Sequence, residues 1–158
     1  MSSAQATLKR PLSRAKGARA VPRVGAATFQ GLLDKTLATI DADQRAGSKL
    51  RAAGLCMRLK FPDLGLSLSV APSDERGHQI RWTFSEGRRW KPKLEMTMSS
   101  EVANAYLQGG ESLAIAIARG RVRLKGETRS ALHYVPAMRV VVDAYRRLLR
   151  DEHPELLI

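Results

Sequence analysis

At Leu55 the spacing of apolar residues changes from helix-like to strand-like, and it stays strand-like for four successive segments. Leu55, Met57, Leu59 and Phe61 alternate with Cys56, Arg58 and Lys60; after Pro62-Asp63, Leu66, Leu68 and Val70 alternate with Ser67 and Ser69. Ile80, Trp82 and Phe84 alternate with Arg81 and Thr83, and Leu94, Met96 and Met98 with Glu95 and Thr97. A period of two puts apolar side chains on one face of a strand and polar ones on the other. Four such segments joined by short, turn-rich loops predict an antiparallel sheet with one apolar and one wet face. The apolar face must be covered, and the flanking segments offer only helices to cover it.

Ahead of the sheet, Phe29, Leu33, Leu37 and Ile40 recur at helical spacing after Thr28, a candidate N-cap. Residues 41–54 carry a weaker helical signal. Beyond the sheet, Ser99-Ser100-Glu101 reads as a helix start, and Gly109-Gly110 ends that helix. Residues 112–119 are small or apolar and bounded by glycines, and their alanines favour helix over strand. Arg121-Val122-Arg123-Leu124-Lys125 alternates once more, as a fifth strand. From Thr128 to Arg150, Leu132, Val135, Met138, Val142, Tyr145 and Leu149 keep helical spacing, with Pro136 marking a kink or break. The expected fold is α+β: a five-stranded, mainly antiparallel sheet with one face covered by helices. Residues 1–27 are expected as a disordered basic arm, 28–150 as the folded domain and 151–158 as a short C-terminal tail.

The chain has 158 residues and a net charge of +12, and the arm holds six basic residues and no acid. That length suits one domain, and 44% apolar content excludes a wholly disordered basic protein. No apolar run approaches the roughly 18 residues of a membrane span. The arm lacks the apolar stretch of a secretory signal, and its prolines and glycines make mitochondrial targeting a minor reading. Cytoplasmic placement, with peripheral membrane contact, is the expectation.

A lone cysteine, Cys56, excludes an internal disulfide or a CxxC zinc site. His78, His133 and His153 lack metal-ligand spacing, and neither a GxSxG elbow, a P-loop nor a GxGxxG motif occurs. The expectation is therefore a protein with no catalytic residues, no metal and no cofactor. Nucleic acid is a weaker reading of the charge. Arg88-Arg89-Trp90-Lys91 and a strand face with Arg121, Arg123 and Lys125 would form its footprint, but there is no RNP or helix-turn-helix signature.

Residues 94–135 resemble the sterol carrier protein-2 (SCP2) lipid-binding family. The resemblance rests on Leu94-Glu95-Met96-Thr97-Met98-Ser99 running into a helix that ends at Gly109. The small-residue segment around Ala116 follows, then Gly120-Arg121-Val122-Arg123-Leu124-Lys125-Gly126-Glu127. The order of elements from about residue 28 to 150 also matches. One departure is Glu111-Ser112, where the family often has Asp-Pro. The resemblance implies an apolar tunnel between sheet and helices that binds fatty acyl, sterol or isoprenoid ligands. Its walls would be Trp82, Phe84, Leu94, Met96, Met98, Val102, Tyr106, Leu113, Ile117, Leu132, Val135 and Met138. It further implies a noncatalytic carrier, which the basic residues would help to meet anionic membranes, or an accessory factor in making a polyprenylated quinone.

Overall fold

The computed structural model describes residues 21–85 and 90–158. Most of the expected arm and the Arg88-Arg89 pair lie outside the described residues.

The first helix, α1 (Ala26–Ala42), starts two residues before the expected cap, with Gly25 as N-cap. Thr28 is thus inside the helix, and Phe29 N already donates to Gly25 O at 2.9 Å. The weakly helical stretch that follows contains a second helix, α2 (Gln44–Ala52), capped by the Asp43 side chain, which accepts from Arg45 N and Ala46 N. Few of its residues are buried, namely Gly47 and Leu50, so its apolar periodicity is thin.

Strands β1 (Met57–Phe61), β2 (Leu66–Pro72), β3 (Ile80–Thr83), β4 (Leu94–Met98) and β5 (Val122–Gly126) form one sheet in the order β3-β2-β1-β4-β5. β1–β2, β2–β3 and β4–β5 are antiparallel, as expected. β1–β4 is parallel, with Leu59 opposite Met96, so the sheet is mixed. The cause is the return after β3. Lys93 N and Leu94 N both donate to Cys56 O, at 3.1 and 3.3 Å, so β4 begins beside the start of β1 and runs the same way. Phe84 falls just beyond β3.

Ser99 caps α3 (Ser100–Leu107) through a bond from Val102 N, and Ser112 caps α4 (Leu113–Ala118) through one from Ile115 N. The last helical pattern divides into α5 (Ser130–His133) and α6 (Val135–Glu152), which meet at Tyr134. Pro136 occupies the first turn of α6, where a missing N–H costs no intrahelical bond. Residues 151–158 differ from a simple tail: α6 continues to Glu152, and a 3-10 turn at Pro154–Leu156 follows.

The inner face of the sheet carries Met57, Phe61, Leu68, Val70, Leu94, Met96, Met98 and Val122, all buried with Phe29, Leu33, Leu37 and Ile40 of α1 and Met138, Val141, Tyr145 and Leu149 of α6. Phe29 and Phe61 meet edge to face, with ring centroids 5.2 Å apart. Polar side chains take the outer face, as the alternation requires.

Candidate functional site

Where sheet and helices meet they leave an apolar cavity of about 40 Å³. Every layer contributes to its wall. α1 supplies Leu33, Thr36 and Leu37; β1 supplies Met57, Leu59 and Phe61; β2 supplies Leu68 and Val70; β4 supplies Met96 and Met98. α3 adds Ala103, Tyr106 and Leu107, α6 adds Met138 and Val141, and Leu55 and Leu113 complete it. Two wall residues carry oxygens. The Thr36 hydroxyl already donates to Leu32 O at 2.7 Å. Burial pushes the Tyr106 phenol above its ordinary value, so it stays neutral at physiological pH.

On the helical side, Tyr106 and Leu113 line a second space as well: an open groove of about 680 Å³ shared with Leu132, Val135, Arg139 and Val142. These two side chains therefore stand between the cavity and the groove. Leu132 is 58% exposed, and nearby Ile115 is 49% exposed.

Of the twelve residues expected to line a tunnel, Met96, Met98, Tyr106, Leu113 and Met138 face the cavity. Leu132 and Val135 face the outer groove. Leu94 is plain core, and Ile117 is half-buried against the core. Val102 borders a separate surface hollow beside Ser99 and Glu101. Trp82 lies on the edge strand and donates its Nε1–H to Asp34 at 2.9 Å, so it braces β3 against α1. Phe84, past the end of that strand, packs on the core outside the cavity. The expectation missed the β1, β2 and α1 contributions, whose alternation and helical spacing were visible but whose central position was not. It also expected a tunnel. The structure holds a small cavity instead, well under the roughly 300–1,000 Å³ of ordinary ligand sites.

Among the described residues, no three His, Cys, Asp or Glu side chains gather as a metal site. No described helix is long and apolar enough to cross a membrane.

No family model matches the sequence, and no curated protein matches it significantly. Solved structures do match. A conserved hypothetical protein of Thermus thermophilus, described as a candidate sterol carrier protein, superposes with a TM-score of 0.55 at 15% identity, over 82% of this chain and 94% of that one. The ubiquinone synthesis protein UbiJ-SCP2 gives 0.52 at 16% identity, over 75% and 96%. The fold is that of sterol carrier protein 2. A double mutant of the sec-alkyl sulfatase PisA1 gives 0.52 at 15% identity over 68% of this chain. This chain spans 16% of the sulfatase's length, so the likeness is to one part of that enzyme. The cavity lies between sheet and helices, the place where the SCP2 resemblance puts an apolar space.

Proposed function

We propose that the protein binds lipids without transforming them, taking an apolar tail into the space between sheet and helices and carrying it between membranes. The observation that carries this reading is a cavity wall drawn from every layer and built almost wholly of apolar side chains. Such a wall offers a tail burial and nothing else. Each CH₂ moved from water gains about 0.8 kcal/mol, so a ~16-carbon tail gains roughly 12 kcal/mol before the costs of ordering and association.

A tail that long needs the cavity to widen. Four of the five methionines, Met57, Met96, Met98 and Met138, line it. Unbranched thioether side chains repack at low cost, which suits a wall that opens around its ligand. The groove beyond Tyr106 and Leu113 supplies a way in, and exposed Leu132 and Ile115 beside it suit contact with a bilayer, where basic residues add attraction to anionic lipid. The test is native mass spectrometry and solvent extraction of the purified protein, together with titration of a fluorescent acyl probe. Co-purified lipid or saturable probe binding is expected; an empty protein that binds no probe overturns the reading.

The likeness to UbiJ-SCP2 over most of both chains favours a second reading, an accessory factor that presents a polyprenylated quinone precursor. A preference for isoprenoid over straight-chain probes separates it from the first.

A further inference from the structure

The face of the sheet opposite the cavity holds a second, chemically different groove, about 460 Å³ in volume. Arg58, Trp90, Lys91, Glu95 and Lys125 line it. Arg58 projects from the central strand, yet its side chain is only 10% exposed. Its Nε donates to the Ser69 hydroxyl at 3.1 Å. Glu95 is the one carboxylate within salt-bridge reach of it among the described residues, and it stands off at 4.0 Å while lying 3.0 Å from Lys60 Nζ. The charge of Arg58 is thus paired only loosely, with a carboxylate that it shares with Lys60.

Trp90 walls the same groove, with its Nε1–H turned away from solvent. The Arg81 guanidinium lies 4.6 Å from the Trp90 ring centroid and holds the indole against the sheet. The groove therefore holds one loosely paired cation, Arg58, and Lys91 and Lys125 on its wall leave positive charge in excess of Glu95.

We propose that this groove is a phosphate-binding site. Arg58 donates to phosphate oxygens, Trp90 walls the groove, and Lys125 and Lys91 supply charge. A phosphate group carries several acceptor oxygens and up to two negative charges, which matches both the donor set and the charge excess. The source is either a soluble phosphorylated molecule or a phospholipid headgroup. The site is separated from the lipid cavity by the thickness of the sheet, so the inference does not depend on lipid binding.

Inorganic phosphate, titrated at constant ionic strength against a chloride control, tests the proposal by calorimetry on the wild-type protein. Trp90 fluorescence in Trp82→Phe, where it is the sole tryptophan, gives a second readout. Saturable phosphate binding that weakens about tenfold in Lys125→Met and more in Arg58→Met is expected. Circular dichroism checks that each variant folds, and exposed Lys125 keeps the test sound if Arg58→Met does not. Phosphatidylglycerol and phosphatidylcholine vesicles then distinguish the source: binding to the anionic vesicles that Lys125→Met abolishes marks a headgroup, and phosphate binding without it marks a soluble ligand. The proposal is overturned by the absence of any Lys125-dependent binding to phosphate or vesicles, by equal binding in wild type and both variants, or by binding to oligonucleotides alone.

Discussion

The Tyr145 hydroxyl donates to Asn104 Oδ1 at 2.7 Å, with both residues buried between α6 and α3. The same oxygen accepts from Gln108 Nε2 at 3.1 Å. Gln108 Nε2 also reaches Leu156 O at 3.0 Å, and Gln108 Oε1 accepts from Ile158 N at 3.0 Å. One polar chain thus ties two helices to the end of the polypeptide. Burial pushes the Tyr145 phenol far above its ordinary value, so it remains a donor at any working pH.

Tyr145→Phe is expected to cost about 1–2 kcal/mol in urea unfolding, the usual worth of one buried bond whose partner keeps another donor. Gln108→Ala is expected to cost a similar amount and also to speed amide exchange at Ile158, since it alone releases the C-terminal turn. Unchanged exchange there would mean that apolar packing, not Gln108, holds the terminus.

His78 and Asp41 form a pH-sensitive tie between the end of α1 and the start of β3. The Asp41 carboxylate lies 2.6 Å from His78 Nδ1 and accepts from Gln79 N and Ile80 N at 2.7 and 3.1 Å. Burial pushes Asp41 upward, but the bonds from His78, Ile80 and Gln79 together hold it below its ordinary value of 3.8. Its bond to Asp41 raises His78 above 6.5. The raised histidine stabilises fully below pH 6.5 and loses that contribution as pH rises through its folded value. The lowered aspartate stabilises fully above pH 3.8 and loses its contribution as pH falls through its folded value. The Tm advantage of wild type over His78→Ala should therefore be greatest between about pH 4 and about pH 6.5 and shrink on the alkaline side. A constant difference from about pH 6 to about pH 9 would show that His78 acts by packing alone.

These relationships mark how far the sequence could be read. The inward residues of β1, β2, β4 and β5 were legible because alternation is a local property; Ser99 announced α3 through its cap, and the alanines after Ser112 announced α4. Asp43 caps α2, but a helix burying only Gly47 and Leu50 leaves almost no apolar stripe to notice. The parallel β1–β4 pairing was not legible. It depends on which free edge the chain reaches after residues 84–93, and the short-range pattern is the same for either edge. That choice puts β1 at the centre of the sheet. It explains why Met57, Leu59 and Phe61 line the cavity while Trp82, an equally good candidate by spacing, ends at an edge against Asp34. The outer groove was hidden for a related reason: Arg58 and Trp90 line it together although they lie far apart in sequence, and local alternation carries no such information.

Gly126 and Gly120 make a matched pair for testing that return loop. Both adopt left-handed φ, +97° and +72°. A Cβ on Gly126 would sit 2.5 Å from Lys93 O, a backbone atom held in place by its bond from Glu127 N; one on Gly120 would meet nothing within 4 Å. Gly120→Ala is expected to cost only the conformational penalty of about 1–2 kcal/mol. Gly126→Ala adds a backbone clash where β4 enters the sheet beside β1, and is expected to cost clearly more, upwards of about 3 kcal/mol or soluble expression itself. Equal costs in chemical denaturation would mean that the 93–94 backbone gives way freely.

Met96 offers the most direct test of where a lipid tail lies. It sits on β4 opposite Leu59 and Leu124, is 2% exposed and faces the cavity. Met96→Phe replaces a flexible wall residue with a rigid ring in a space of about 40 Å³. Overpacking of this kind costs about 1–3 kcal/mol of stability. A tail that must pass Met96 would lose about 1.4 kcal/mol or more of binding, a tenfold or greater drop in acyl-probe affinity. Leu132→Ser is the control on the other side of Tyr106 and Leu113. Leu132 is 58% exposed and lines the outer groove, so stability should stay within about 0.5 kcal/mol and equilibrium probe affinity should hold. Transfer of the probe to vesicles should slow if the outer groove is the entrance, because Leu132 lines that groove and not the cavity. If Met96→Phe binds the probe as well as wild type and Leu132→Ser loses it, the tail rests in the outer groove and the cavity is only core.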